Sequence, residues 1–227
     1  MSQKLLTNNE QSMIDAEPFT PQVPASSYDF AKYMQMPRWC SLWHQIRLIQ
    51  SLQPKTLLEV GVGNGLLRAI CTHYGIEVRT IDIDPELKPD VVASVQKIPF
   101  EAQSVDLSCA FQVLEHVPYE EALQGFRELC RISRQDILIS LPNAQRAYPQ
   151  SLSLPILRTL QFILPGPTWP YSKMIKSHFW EIGRPGTTLK TVIHDFSKIA
   201  DLVTTFRVQE NPYHQFFHFR CRSRTSN

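Results

Sequence analysis

The sequence has little of what marks an extracellular, membrane-spanning or nucleic-acid-binding protein. Its five cysteines are odd in number and include no Cys-x-x-Cys pair, which indicates reduced thiols rather than a disulfide framework or a zinc site. A formal net charge of +2 gives no bulk attraction for nucleic acid. No apolar run reaches the ~20 residues of a membrane span, and the N-terminal residues lack the apolar core of a signal peptide. We therefore expect a cytoplasmic protein with no nucleic-acid partner, no transmembrane segment and no bound metal.

The remaining composition is that of an ordinary globular protein. With 227 residues, 43% of them apolar and 19% charged, the chain fits one domain or one domain with an insertion. Predicted strands at 56–60, 77–82, 90–93, 104–110 and 136–141 alternate with predicted helices at 64–74 and 119–131. This alternation is typical of βαβ units and predicts a parallel sheet. A predicted helix at 189–201 and two β-rich runs at 202–209 and 215–221 then indicate a terminal hairpin, which requires an antiparallel last strand.

Glycine is scarce, and its placement is informative. The chain has only eight glycines, and Gly61, Gly63 and Gly65 stand at alternate positions after the apolar run that contains Glu59. Such a turn lets the backbone approach a ligand, and the helix that follows offers unpaired amide groups. In open α/β sheets this is where nucleotide-type cofactors bind.

The spacing of the glycines separates two kinds of cofactor. A dinucleotide fingerprint, G-x-G-x-x-G, would need a third glycine where this chain has Leu66 or Arg68. The pattern here is E-x-G-x-G-x-G. A second predicted strand ends in Asp82, 21 residues after Gly61, and a carboxylate at about that interval can bind both hydroxyls of a ribose.

Three further motifs follow in order: Val95-Gln-Lys-Ile-Pro-Phe100, Ser104-Val-Asp-Leu-Ser-Cys-Ala-Phe111, and Gln112-Val-Leu-Glu-His-Val117. With the turn at 59–65 they make residues 56–142 resemble the class I S-adenosylmethionine-dependent methyltransferases, of the methyltransferase type 11-like group. The resemblance implies a doubly wound, Rossmann-like α/β fold with a seven-stranded, mostly parallel sheet and an antiparallel last strand. It also implies S-adenosylmethionine as the cofactor.

The resemblance assigns donor-binding roles by position. It implies that Glu59 interacts with the methionine end of the donor and that Asp82 holds the ribose. The other implied positions form three groups: the glycines that let the backbone approach the donor, Gly61, Gly63 and Gly65; the residues flanking the adenine, Ile83, Ser94 and Val95; and the residues near the sulfonium, Phe111 and Gln112. Ser94 stands where the family often has an acid that meets the adenine amino group.

Two histidines are candidates for a catalytic role. His116 follows the fourth strand, near the expected methyl group, and could act as a general base or be a structural, hydrogen-bonded histidine. Glu115 is similarly ambiguous. His178 and Glu181 lie in the cluster Ser177-His-Phe-Trp-Glu-Ile-Gly183 and could contact a polar ring of the acceptor.

The chain divides into four predicted parts: an N-terminal tail with cofactor-covering helices (1–50), a donor-binding core (51–143), an inserted substrate cap (144–188) and a C-terminal helix with a hairpin that completes the core (189–227). The first part contains an apolar helix face, Trp39, Leu42, Trp43, Ile46 and Ile49. The apolar piece of the cap at 152–164 predicts a buried helix, with a membrane-surface or partner-facing segment as the alternative.

The acceptor is constrained only by what is missing. Enzymes that methylate amino groups of DNA or RNA commonly carry Asp/Asn-Pro-Pro-aromatic after the fourth strand, where this chain has Ala110-Phe-Gln-Val113. A small molecule, a saccharide or a lipid-linked intermediate is therefore the expected acceptor. The alternatives are a donor-binding scaffold that has lost catalysis and a nicotinamide-dependent oxidoreductase.

Overall fold

The computed structural model of the chain describes residues 20–153, 159–167 and 173–222. The predicted N-terminal tail up to residue 19 therefore lies outside the described ranges. The α-helices are Phe30–Tyr33 (α1), Met36–Leu52 (α2), Leu66–His73 (α3), Tyr119–Ile132 (α4) and Leu189–Phe196 (α5). The strands are Thr56–Val60 (β1), Glu77–Asp82 (β2), Val91–Val92 (β3), Val105–Phe111 (β4), Ser133–Pro142 (β5), Ala147–Leu152 (β6), Leu160–Pro165 (β7), Asp201–Arg207 (β8) and His214–Arg220 (β9).

Seven of these strands form one sheet in the order β3-β2-β1-β4-β5-β9-β8. Strands β3, β2, β1, β4 and β5 are mutually parallel, whereas β9 pairs antiparallel with both β5 and β8. This arrangement confirms the predicted doubly wound fold with an antiparallel last strand. It also brings the carboxyl ends of β1, β2 and β4 to one edge, where open α/β sheets bind ligands.

The core lies on both faces of the sheet. Side chains alternate along each strand, so Leu57 and Leu58 are both fully buried but belong to opposite layers. The layer around Leu57 contains α2 and α3, and the layer around Leu58 contains α4 and α5. No helix within the described ranges is long and apolar enough to cross a membrane.

The apolar face predicted for α2 is only partly correct. Leu42 and Ile49 are buried, but Trp39 and Trp43 are 38% and 53% exposed. At 3.6 residues per turn the two tryptophans lie about 70° and 110° round the helix from the line through Leu42 and Ile49. They therefore stand beside the contact with the sheet, where Trp43 lies under the Arg47 guanidinium.

The predicted cap at 144–188 has two parts of different character. Strands β6 and β7 form a separate two-stranded antiparallel hairpin in which Leu152, Phe162 and Leu164 are about half exposed. The buried helix predicted at 152–164 is therefore wrong in the described part, because a short apolar run does not by itself distinguish helix from strand. Residues 154–158 lie outside the described ranges.

The second part of the predicted cap enters the core. Trp180 and Ile182 are 5% and 0% exposed, and the Ile182 amide donates to the Pro142 carbonyl at 2.9 Å. The Trp180 indole N–H also donates to the Leu114 carbonyl at 3.1 Å. Residues 178–182 are consequently anchored beside the end of β4.

The turn after β1 gives a first prediction about stability. Gly61 and Gly65 both have positive φ, 83° and 72°, but a Cβ at Gly61 would overlap the Val113 side chain, whereas one at Gly65 would meet nothing within 4 Å. Both Gly61→Ala and Gly65→Ala should lose roughly 1–3 kcal/mol to backbone strain. Gly61→Ala should lose about 1–3 kcal/mol more to overpacking. Urea midpoints at constant m-value measure the difference, and equal losses would contradict the packing argument.

Candidate functional site

The candidate site is a cleft along the carboxyl ends of β1, β2 and β4. Three adjoining pockets form it, and Gly61 and Val113 line all three. Gly61 starts the turn after β1, and its amide donates to the Ile81 carbonyl at 2.9 Å. The three pockets are therefore compartments of one continuous groove.

The pocket beyond β1 contains five of the predicted donor-binding residues. These are Glu59, Gly61, Gly63, Phe111 and Gln112. Gly65 instead occupies the position before α3 with φ of 72°. The structure thus brings the residues predicted for the methionine end and for the sulfonium into one pocket.

Glu59 is the electrostatic focus of this pocket. Glu59 is 5% exposed, and its Oε2 has no hydrogen-bond partner within the described residues. Burial raises the pKa of Glu59 to about 8, although the Arg68 guanidinium and amide oppose the shift. Burying an unpaired carboxylate is costly, and a ligand with a positive charge next to Oε2 would offset that cost.

The same pocket contains charged and aromatic groups that no sequence motif indicated. Arg38 of α2 lines it, and its guanidinium lies 4.1 Å from the centre of the Tyr33 ring. Tyr28 also lines it, and a Cβ at Gly63 would contact the Tyr28 ring at 3.6 Å. Burial raises the pKa of Tyr28, so its hydroxyl stays protonated. These residues lie far from the glycine turn in sequence, and only packing brings them over it.

The second and third pockets contain Asp82 at the end of β2. Its Oδ2 accepts from the Val62 amide at 2.8 Å, and its Oδ1 accepts from the Asp84 amide at 2.9 Å. Burial raises the pKa of Asp82, and these backbone bonds partly offset the shift. A carboxylate has about four acceptor positions, so Asp82 can hold the β1 turn and still accept from a ligand.

The third pocket lies beyond Asp82 and has mainly apolar walls. Ile83, Ser94 and Val95 all line it together with Asp82. Val95 is 5% exposed, whereas the Ser94 hydroxyl accepts from the Gln96 amide at 3.2 Å. The structure therefore brings the residues predicted for the adenine next to the residue predicted for the ribose.

Gln112 marks strain at the junction of the first two pockets. It is a non-glycine residue with φ of 57°, a conformation that costs of order 1–3 kcal/mol and is concentrated at functional sites. Its amide donates to the Ser140 carbonyl at 3.0 Å, and its side-chain amide donates to the Ser140 hydroxyl at 3.2 Å. These bonds to β5 hold Gln112 in the cleft.

His116 and His178 lie far apart in the sequence, but the fold brings their rings together. His116 lines the second and third pockets, and its ring centre lies 5.0 Å from that of His178 in an edge-to-face arrangement. The His116 Nδ1 donates to the Ser177 carbonyl at 3.0 Å. Burial lowers the pKa of His116, with the Ser177 carbonyl opposing the shift, so the imidazole is neutral near pH 7.

Comparison with known proteins agrees with this geometry. The family model of the methyltransferase domain matches residues 58–139. A search of curated protein sequences finds no significant match.

Solved structures share the fold over most of the chain. A magnesium protoporphyrin IX methyltransferase from Synechocystis PCC 6803 with bound S-adenosylmethionine has a TM-score of 0.60 at 10% identity, covering 97% of this chain and 100% of that one. A 1,6-didemethyltoxoflavin-N1-methyltransferase from Burkholderia thailandensis with bound S-adenosylhomocysteine has a TM-score of 0.56 at 14% identity, covering 87% and 85%. An S-adenosylmethionine-dependent methyltransferase from Aquifex aeolicus has a TM-score of 0.58 at 15% identity, covering 88% and 100%.

At these identities the solved structures establish the likeness of fold, and the family model covers the part of the chain from β1 to β5, which builds the cleft. The family-model match and the seven-stranded topology together identify residues 58–139 as a methyltransferase domain with the class I, S-adenosylmethionine-dependent fold.

Proposed function

We propose that the chain transfers a methyl group from S-adenosylmethionine to a small molecule, a saccharide or a lipid-linked intermediate. The observation that carries the proposal is the continuous cleft, which has a buried, unpartnered carboxyl oxygen of Glu59 at one end and Asp82 farther along. This order of groups suits an extended donor with an ammonium group, a sulfonium and a ribose.

Two charged residues support the placement of the methionine end. Glu59 would accept from the donor ammonium group, and Arg38, which lines the same pocket, would bind the donor carboxylate. Gly61, Gly63 and Gly65 would let the backbone come close to this part of the donor. A zwitterion would thereby meet one group of each sign.

The remaining donor contacts follow the direction of the cleft. Asp82 would accept from the ribose hydroxyls. Ile83, Ser94 and Val95 would flank the adenine, and Phe111 and Gln112 would lie near the sulfonium.

For methyl transfer the protein mainly has to align the donor and the acceptor and to allow the acceptor to lose a proton. A lone pair of the acceptor forms the bond to the methyl carbon while the carbon–sulfur bond breaks and its electron pair stays on sulfur. The acceptor proton passes to a base or to water. We propose His116 and His178 as the residues nearest this step, because the neutral His116 lines the cleft and His178 lies against it.

The surroundings of the cleft support an acceptor with an apolar part. The hairpin of β6 and β7 follows the carboxyl end of β5 and carries half-exposed Tyr148, Leu160 and Phe162. We propose that residues 144–188 contribute the acceptor side, with 1–50 covering the donor and 189–227 completing the sheet around the core at 51–143. We also propose a cytoplasmic location, on the scattered cysteine pattern of the sequence.

The activity is tested by transfer of a labelled methyl group from S-adenosylmethionine, using the purified chain and a fractionated cell extract. We expect label in the small-molecule, saccharide or lipid fraction, only with active protein. Label in nucleic acid or protein would contradict the proposed acceptor class. Tight donor binding with no label in any fraction would favour the scaffold alternative.

Replacing the ribose acid gives a second prediction. Asp82→Ala should weaken donor binding roughly tenfold or more, since hydrogen bonds to a charged group are worth about 1.5–3 kcal/mol. Asp82→Asn, which keeps one acceptor oxygen for the β1 turn, should lose less. Titration calorimetry measures both affinities.

The control for this prediction is Asp201→Ala, which removes an exposed acid paired with Arg222. It should leave donor affinity unchanged. Melting curves show whether each variant is folded, and unchanged donor affinity in folded Asp82→Ala would contradict the assignment.

The buried acid Glu59 gives a third prediction, about pH. The folded pKa of Glu59, about 8, lies above the ordinary glutamate value of 4.5, so its contribution to stability is fully present below about pH 4.5 and is lost as the pH rises towards 8. Without donor, Glu59→Gln should melt close to the parent at pH 5 and several degrees above it at pH 8. The three pH units between pH 5 and pH 8 correspond to about 4 kcal/mol, and at this size 1 kcal/mol shifts Tm by roughly 2–4 °C.

The matched control is Glu101→Gln, at an exposed acid, which should show the same difference from the parent at both pH values. Parallel melting temperatures of Glu59→Gln and the parent from pH 5 to pH 8 would show that Glu59 is not the buried titrating group.

A further inference from the structure

Three side chains next to the cleft form a cluster that the donor does not explain. Glu115, His116 and His178 each offer one ligand atom, and these atoms all lie within 4.8 Å of one another. Glu115 and His116 belong to a turn after β4, and His178 comes from the segment before Trp180. The Phe179 amide donates to the Glu115 carbonyl at 2.9 Å, which holds the two segments together.

In both imidazoles Nδ1 has an oxygen partner, which leaves Nε2 as the nitrogen for a ligand. The His116 Nδ1 lies 3.0 Å from the Ser177 carbonyl, and the His178 Nδ1 lies 3.1 Å from Glu181 Oε1. Carbonyl and carboxylate oxygens can only accept, so each Nδ1 carries a proton, and in the neutral form of each imidazole Nε2 has the lone pair that a metal ion needs. Metal-binding histidines are oriented by this kind of bond to an outer carboxylate or carbonyl.

Glu115 supplies the independent evidence for a ligand. It is 0% exposed, and neither carboxyl oxygen has a hydrogen-bond partner within the described residues. The cluster therefore combines two imidazoles with a buried carboxyl group that has no hydrogen-bond partner among the described residues.

The outer partner of His178 is itself firmly held. Glu181 is 0% exposed and accepts from the Tyr213 hydroxyl at 2.7 Å and from the Arg184 Nε at 2.8 Å. Burial alone would raise its pKa, but hydrogen bonds from His178, Tyr213 and Arg184 lower the pKa of Glu181 to about 2. Glu181 is thus a fixed anion that orients His178.

We propose that Glu115, His116 and His178 bind one divalent transition-metal ion. Two imidazole nitrogens and one carboxylate are ligands that Zn²⁺, Co²⁺, Mn²⁺ and Fe²⁺ share, and they disfavour Mg²⁺ and Ca²⁺, which take oxygen ligands. With metal–ligand bonds of about 2.1 Å, the ligand atoms of a tetrahedral site lie about 3.4 Å apart. Side-chain adjustments of about 1 Å therefore close the cluster round an ion.

Three protein ligands leave at least one coordination position open, as in catalytic rather than structural sites. His116 lines the cleft next to Asp82 and Gln112, so the open position faces the place where donor and acceptor meet. The ion would take an oxygen of the acceptor and orient it towards the methyl group. This role rests on the proposed methyl transfer, whereas the binding of the ion does not.

The test is metal binding to the tag-free, chelator-treated full chain, with no donor present. Co²⁺ serves as the probe, through its visible absorption, and Zn²⁺ serves as the competitor. We expect about one Co²⁺ per chain, displaced by Zn²⁺ and not by Mg²⁺. Absence of stoichiometric Co²⁺ binding overturns the proposal.

Variants separate the site from adventitious binding. Glu115→Gln and His178→Ala should each weaken Co²⁺ binding at least tenfold, and Glu181→Gln should weaken it roughly 10–100-fold by releasing His178. The control is His73→Ala, at an exposed histidine of α3, which should leave the affinity unchanged. Binding that survives both Glu115→Gln and His178→Ala overturns the site, and melting curves confirm that each variant is folded.

The result is independent of the methyl-transfer assay. Co²⁺ binding that depends on Glu115 and His178 supports the site even if no labelled product is found. Methyl transfer by a chain that binds no metal overturns the site and leaves the donor assignment standing. Methyl transfer that is unaffected by chelation, in a chain that does bind Co²⁺, overturns the acceptor-holding role.

Discussion

The cleft depends on the carboxylate of Asp82. By accepting from the amides of Val62 and Asp84, it ties the turn after β1 to the loop after β2. Parallel strands end at the same edge of a sheet, but only a fixed link between their loops makes that edge a groove of constant shape. Gln112, whose strained backbone is held by Ser140 of β5, lines the same groove at the end of β4. The shape of the groove therefore depends on a few hydrogen bonds of Asp82 and Gln112.

Three buried glutamates show how partners decide the state of a carboxyl group. Glu59, Glu115 and Glu181 are all almost inaccessible. Glu181 has a histidine, a tyrosine and an arginine as donors, and its pKa falls to about 2. Glu59 and Glu115 have unpartnered oxygens, and the pKa of each rises to about 8. Uncompensated carboxyl groups are costly to bury, and both lie beside the cleft, where a cationic ligand would relieve that cost.

The extent to which the sequence predicted the molecule differs between its parts. The strands at 56–60 and 77–82 have the predicted bounds, because apolar runs that end in glycine or an acid are local signals. The buried helix predicted at 152–164 is wrong in the described part, where Leu152 ends β6 and Leu160–Pro165 forms β7, because a short apolar run is compatible with both structures. The exposure of Trp39 and Trp43 was also missed, since periodicity shows that residues share a side of a helix but not how wide the contact with the sheet is.

The sequence by itself determined the alternation of strands and helices, the glycine turn at 61–65 and the interval to Asp82, because each is set by neighbouring residues or by the length of one βαβ unit. Only the tertiary structure placed Tyr28 and Arg38 in the pocket that contains Glu59 and brought His178 to Glu115 and His116. These residues lie on segments that no spacing rule connects. Their meeting is decided by how α2 and the chain around Trp180 pack against the sheet, which is a property of the whole core.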